Sequence, residues 1–219
     1  TLSYLVNDLP ILWHSSSELP DIPVHAIQFD SRKVTPGDVF VAINGDTSNG
    51  HNFIPSAIES GAIAVVGSEE IAQLPVPYIK VTDSREALAY LAAAYFDHPA
   101  RKLVITGVTG TDGKTTTVNL LFEILKAAGI KAGLISTVNA VIGDEMIDTG
   151  FHVTTPEATD VQGYLARMVE AGITYVVLET TSHGLAQHRV TGCEFDVAIV
   201  TNVTHEHLDY HGNYENYRA

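Results

Sequence analysis

The chain has 219 residues, 45% hydrophobic and 17% charged, which describes a globular protein with a real core and excludes a disordered one. A net charge of −14 argues against sequence-independent binding to nucleic acid or anionic membranes, though not against phosphate ligands, which need only local positive charge. The one cysteine, Cys193, excludes an intramolecular disulfide, fits a reducing cytoplasm and, lacking an activating pattern, reads as buried filler. No apolar run approaches the ~20 residues of a membrane-spanning helix, and the start at Thr1 shows no export leader. The length predicts two domains, residues 1–100 and 101–219, with the second cut short.

In the first block, Ala26–Phe29 reads as a strand followed by an Asp30-Ser31-Arg32 turn. Val34–Asp38 is a second turn, Val39–Ile43 a buried strand and Gly45–Asn52 a polar loop. Phe53–Ser60 is a short amphipathic helix ended by Gly61, with strands at Ala62–Val66 and Tyr78–Val81. Arg85–Phe96 is a helix capped by Asp83 or Ser84, and Asp97-His98-Pro99 stops it at the domain junction.

From Lys102 the pattern becomes strand, helix, strand, helix. A short strand at Leu103–Thr106 runs into Gly107, Gly110 and Gly113, and Lys114-Thr115 opens a helical run to Ala128. This reads as a G-x-x-x-x-G-K-[ST] phosphate loop, with a strand before it and a helix after. Glycines let backbone N–H groups turn toward phosphate oxygens, and the helix N-terminus adds partial positive charge. Lys114 is placed to reach the β- and γ-phosphates, and the Thr115 hydroxyl to sit on magnesium. Lys131–Val141 contains a strand, Val161–Ala171 is a helix closed by Gly172, and Tyr175–Leu178 and Val197–Thr201 are apolar strands. A mostly parallel sheet covered on both faces follows, with ligands beyond the carboxyl ends of its strands. Asn213 caps a final helix that stops within two turns, which reads as a fragment of a longer enzyme.

Polar clusters follow each of those strand ends. Glu179 leaves its strand into Thr180-Thr181-Ser182-His183, where a carboxylate holds magnesium or serves as a solvated strand end. Gln187-His188-Arg189 supplies a bidentate cation, either a clamp for substrate carboxylate or phosphate or a surface ion pair. In Asn202–His211 the histidines 205, 207 and 211 match no zinc spacing; one of them joining a magnesium or manganese sphere suits the phosphate context. Asp30–Arg32, Asp46-Thr47-Ser48 and Thr154-Thr155-Pro156 read on their own as turn chemistry.

Six stretches together resemble the Mur ligases, most closely the MurE type. They are Phe29–Arg32, Gly37–Ala42, Gly107–Thr117, Thr154–Pro156, Ser182–Arg189 and His207–Gly212, and they span almost the whole chain. The resemblance implies an α/β fold: a small N-terminal domain for a UDP-sugar, then a truncated P-loop domain. It implies an ATP-dependent ligase of peptidoglycan precursor synthesis, monomeric and cytoplasmic. ATP activates the γ-carboxylate of UDP-N-acetylmuramoyl-L-alanyl-D-glutamate as an acyl phosphate, and lysine, ornithine or diaminopimelate displaces the phosphate. By position, Gly110, Thr111, Asp112, Gly113, Lys114, Thr115 and Thr116 would bind ATP. Thr115, Glu179 and His207 would hold magnesium, and Lys114, Glu179 and His207 would be catalytic. Phe29, Ser31, Asp46, Thr47 and Ser48 would face the UDP end; Thr154, Thr155, Thr181, Gln187 and Arg189 would line the muramoyl-dipeptide path.

The chain departs from that family in Asp112, where Asn is usual, and in Thr181, where Ser is usual. The family's carbamylated lysine and its C-terminal domain would lie beyond Ala219, so these 219 residues are expected to bind substrates without ligating them. The competing readings are a folylpolyglutamate synthetase-like ligase and a P-loop regulatory module without ligase chemistry.

Overall fold

The computed structural model describes residues 1–15, 19–45, 48–71, 73–148 and 155–218. It is a mixed α/β structure of two compact units, Thr1–Asp97 and His98–Ala219. Asp97 and His98, one on each side of that boundary, both adopt left-handed backbone (φ +57° and +47°), so α-helix cannot run through Pro99.

The first unit runs α1 (Leu2–Leu5), β1 (Ile11–His14), β2 (Ile27–Gln28), β3 (Val39–Ala42), α2 (Ile54–Glu59), β4 (Ala64–Gly67), β5 (Tyr78–Val81) and α3 (Ser84–Tyr95). Its sheet has the order β1-β5-β4-β3-β2, parallel except for β1 on β5. All four residues of β3 are buried because their two-residue alternation feeds two cores. Val39 and Val41 pack with α3 through Leu88 and Leu91, whereas Phe40 and Ala42 pack with α2 through Ile54 and Ala57. Asp83 starts α3 by accepting from the Arg85 and Glu86 amides at 2.7 and 3.2 Å.

The second unit contains β6 (Val104–Thr109), α4 (Lys114–Ala127), β7 (Ala132–Ile135), β8 (Asn139–Ile142), β9 (Glu145–Asp148), α5 (Ala158–Glu170), β10 (Tyr175–Glu179), α6 (Ser182–Ala186), β11 (Val197–Val200), α7 (Leu208–His211) and α8 (Tyr214–Arg218). The sheet order is β11-β6-β10-β7-β8-β9. The four strands β11, β6, β10 and β7 are parallel, and β8 and β9 add an antiparallel meander. The strand expected within Lys131–Val141 is β7, and β8 follows it because Ser136 turns the chain: its hydroxyl accepts from the Val138 and Asn139 amides. Helix α5 begins at Ala158, three residues earlier than the apolar pattern implied, directly after Thr155-Pro156-Glu157. Ile105, Val176 and Leu178 pack on Val161, Leu165 and Met168 of α5, while Val108 and Val177 pack on Val118 and Phe122 of α4. Strand β11 is apolar throughout but stands at the sheet edge, leaving Val197 and Val200 43% and 59% exposed. No helix among the described residues is long and apolar enough to cross a membrane.

Candidate functional site

The phosphate-loop segment joins β6 to α4. The eight-residue spacing G-x-x-x-x-G-K-[ST] would put glycine at 108, but Val108 stands there, fully buried in β6. The loop's own glycines are Gly110 (φ +134°) and Gly113 (φ +81°), both outside the range side-chain-bearing residues favour. Gly113 is the N-cap of α4, so Lys114, Thr115 and Thr116 form the first helical turn, where free N–H groups and the helix dipole meet. Lys114 Nζ folds over the loop, donating to the carbonyls of Gly110 (2.7 Å) and Thr111 (2.8 Å).

Parallel pairing sets Glu179, the last residue of β10, beside Val108 of β6. Its carboxylate is 2% exposed, accepts from Thr115 Oγ1 at 2.9 Å and takes the Thr137 amide at 3.2 Å on its other oxygen. Both donors are neutral groups, and one of them is a hydroxyl in the first turn of α4. A carboxylate oxygen beside a hydroxyl is a pair of hard oxygen donors, the type that Mg²⁺ takes.

A second cluster lies just past β10. Arg189 Nη1 donates to the Thr155 carbonyl at 2.6 Å, and Nη2 pairs with Glu157 at 2.9 Å. Thr155 Oγ1 hydrogen-bonds Thr181 Oγ1 (3.0 Å) and accepts from the Thr181 amide (3.2 Å), while Thr181 Oγ1 caps α6 through the Gly184 amide. Thr155, Thr181 and Arg189 are therefore one network, and Gln187 lies two residues before Arg189 with its amide oxygen buried and unbonded. The Arg189 Nε and Thr180 Oγ1 are buried and unbonded as well. Three buried polar atoms without a hydrogen-bond partner thus fall within residues 180–189. Glu157, the partner of Arg189, was not singled out in the sequence; its signal was the acidic residue directly after Thr155-Pro156.

In the first unit, Phe29 is 36% exposed and Ser31 begins a short 3-10 turn capped by Asp30. Arg32 grips the Asp30 carboxylate and holds its pKa down at about 2. Asp46, Thr47 and Thr154 lie outside the described residues. Ser48 is exposed, and its carbonyl accepts from the Gly45 amide at 2.9 Å. Behind that loop His51, 7% exposed, accepts the Ser68 and Glu69 amides on Nε2, so Nδ1 carries the proton toward Asn44 and Asn49.

His207 starts α7 in left-handed backbone. Its ring packs edge-on against His183 at 4.6 Å, and His183 also touches the rings of Tyr210 (4.2 Å) and His211 (5.6 Å). Burial, then the neighbouring His207 and His211, hold the His183 pKa below the usual histidine value. His205 stacks on Tyr214 instead. Among the described residues no group of three or more His, Cys, Asp and Glu forms a metal cage. Cys193 is fully buried, and burial pushes its thiol up to about 12.

Residues 108–219, half of the chain, match the Mur ligase middle domain, and residues 23–96 match the Mur ligase family catalytic domain. The chain belongs to the Mur ligase family. It is 44% identical over 217 residues to a UDP-N-acetylmuramoyl-L-alanyl-D-glutamate–2,6-diaminopimelate ligase of Geobacillus thermodenitrificans, covering 99% of this chain and 43% of that protein. It is 48% identical over 199 residues to a UDP-N-acetylmuramyl-tripeptide synthetase of Roseiflexus sp., covering 89% of this chain and 39% of that one. A solved diaminopimelate ligase of the same name as the Geobacillus protein superposes with a TM-score of 0.79 at 29% identity, over 92% of this chain and 41% of the other. The chain thus spans less than half the length of these two curated relatives.

Proposed function

We propose that this chain carries the UDP-substrate-binding and ATP-binding parts of an ATP-dependent ligase, residues 1–100 and 101–219 respectively. The reaction adds the third amino acid to UDP-N-acetylmuramoyl-L-alanyl-D-glutamate in the cytoplasm, on a monomer. One observation carries the reading: Lys114, the Thr115 hydroxyl and the buried Glu179 carboxylate meet at the first turn of α4, beside two φ-positive glycines.

The residues suit Mg²⁺ as well as ATP. Thr115 Oγ1 and a Glu179 oxygen already lie 2.9 Å apart, both are hard oxygen donors, and among the described residues the carboxylate has no cationic hydrogen-bond partner to displace. Thr115 and Glu179 would hold the ion, with His207 as a third ligand, and the bound ion would neutralise charge on the transferring phosphoryl group. Lys114 would exchange its two carbonyl partners for phosphate oxygens, and the amides of residues 110–116 would orient them. Thr155, Thr181, Gln187 and Arg189, with Thr154, would hold the dipeptide. Arg189 does so mostly by fixing Thr155, since Glu157 already takes one of its terminal nitrogens. Phe29, Ser31 and Ser48, with Asp46 and Thr47, would face the uridine end. Little covalent work falls to side chains, and positioning with charge stabilisation does the rest.

Calorimetric titration of the chain with ATP–Mg²⁺, with UDP-N-acetylmuramoyl-dipeptide and with a folate substrate tests this. Both of the first two are expected to bind and folate is not; mass spectrometry should find no tripeptide when lysine, ornithine or diaminopimelate is added. Binding of folate in place of the UDP-dipeptide, or no binding of ATP, would overturn the reading.

A further inference from the structure

Between β11 and α7 runs a short segment, Thr201–Thr204, that hydrogen-bonds the phosphate loop at Thr109, Thr111 and Asp112. The Thr201 amide donates to the Thr109 carbonyl at 3.0 Å, and Asn202 O accepts from the Thr111 amide at 2.9 Å. The Thr204 amide reaches Thr111 Oγ1 at 2.9 Å, and the same hydroxyl meets Tyr217 of α8 at 2.8 Å. At the centre, the Asn202 side chain bonds both polar backbone atoms of one residue: Oδ1 accepts from the Asp112 amide at 3.1 Å, and Nδ2 donates to the Asp112 carbonyl at 3.0 Å. Thr201 Oγ1 gives that carbonyl a second donor at 2.7 Å.

We infer that Asn202 is a positioning residue for the nucleotide site, acting through the Asp112 peptide rather than on a ligand. A trans peptide holds its C=O and N–H antiparallel. Turning the Asp112 carbonyl toward Asn202 and Thr201 therefore turns the Gly113 N–H the opposite way, away from β11. A loop with two φ-positive glycines has many other conformations open to it, and ordering one of them in advance spares the ligand that entropic cost. Only asparagine fits the role at this reach: aspartate offers no donor to the Asp112 carbonyl, and leucine, of the same shape, offers neither group. Asn202 is solvent-exposed. Its bonds compete with water and add little to overall stability, so loop order, not folding, is what they govern.

The inference rests on the ATP reading above, and its test separates the two. Asn202→Ala and Asn202→Asp are compared with the parent by ATP calorimetry, by thermal unfolding, and by hydrogen exchange of the Asp112 amide without nucleotide. ATP affinity is expected to fall about tenfold in both variants, equivalent to about 1.4 kcal/mol. The Asp112 amide should exchange faster in Asn202→Ala, with the unfolding temperature unchanged. Variants that bind ATP as the parent does would overturn the assignment. If the parent itself fails to bind ATP, the ligase reading falls, and exchange decides the clamp alone: equal Asp112 exchange in the parent and Asn202→Ala would overturn it.

Discussion

Replacing Gly110 by alanine should damage the second unit more than the same change at Gly113, and the structure says by how much. Both positions require positive φ, which costs a side-chain-bearing residue about 1–2 kcal/mol. A β-carbon at Gly113 meets nothing within 4 Å, so that penalty is the whole effect. At Gly110 the β-carbon would lie 2.2 Å from Thr201 Oγ1, 2.7 Å from Asn202 O and 3.0 Å from Asn202 N. Thr201 could rotate away, but the two backbone atoms cannot. The segment after β11 must move, breaking the bonds that Thr201 and Asn202 make to Thr109, Thr111 and Asp112. Overpacking of this kind adds about 1–3 kcal/mol, giving about 2–5 kcal/mol in all. Urea unfolding followed by tyrosine fluorescence, with each variant's slope compared to the parent, measures both. Equal destabilisation by Gly110→Ala and Gly113→Ala would refute the packing argument, because the contacts at Gly110 would then carry no weight.

Other expectations follow from single sites. Leu165 is fully buried among Ile105, Val176 and Leu178, so Leu165→Ala should cost about 2–5 kcal/mol, whereas Leu120→Ala, at a 60% exposed position of α4, should stay within about 0.5 kcal/mol; comparable losses in urea would contradict the assigned core. Burial, partly offset by Glu69, holds the folded-state pKa of His51 below the usual histidine value. The unfolded chain therefore takes up that proton first as pH falls. The His51 contribution is complete above about pH 6.5 and is lost as pH drops below it. Parent stability minus that of His51→Gln should shrink between pH 7.5 and 5; a flat difference would mean that His51 is not held neutral. The exposed Asp112 side chain stands beside the phosphate loop, so Asp112→Asn should tighten ATP binding by up to about fivefold at low salt and by less at 0.5 M salt. Unchanged affinity would show that its charge does not reach the phosphates.

What could be read from the sequence is what each element does locally. Val39–Ala42 looked buried because four apolar residues in a strand have nowhere to go but two cores, and the structure supplies α3 and α2 for them. Asp83 was legible as a cap because capping needs only the next three residues. The β8–β9 meander was not, since β8 offers only the three-residue apolar run Ala140–Ile142 and the turn before it depends on one serine hydroxyl bonding forward. Strand β11 was legible from its apolar run Val-Ala-Ile-Val, but its partner β6 was not, because pairing depends on neighbours that a four-residue window cannot contain.

The same division runs through the candidate site. Lys114, Thr115 and the glycines before them are neighbours in sequence because a phosphate must be held by one continuous turn, so their chemistry shows in a window of six residues. The pairs that organise that turn are remote: Thr115 with Glu179 is 64 residues apart, Arg189 with Thr155 is 34, and Asn202 with Asp112 is 90. Glu179 could be suspected because a carboxylate at the end of an apolar strand stands out against Tyr175–Leu178. Asn202 could not, because asparagine after a strand is ordinary turn chemistry, and its meaning comes only from the parallel pairing of β11 with β6. That pairing sets Val200 beside Thr109, so the next residues of both strands leave the sheet together and the two loops have to meet. The contact follows from strand order, and strand order is a property of the whole sheet. In a parallel α/β unit the residues that touch a ligand can therefore be sought at strand ends, whereas those that shape the loop holding it are found only once adjacent strands are known.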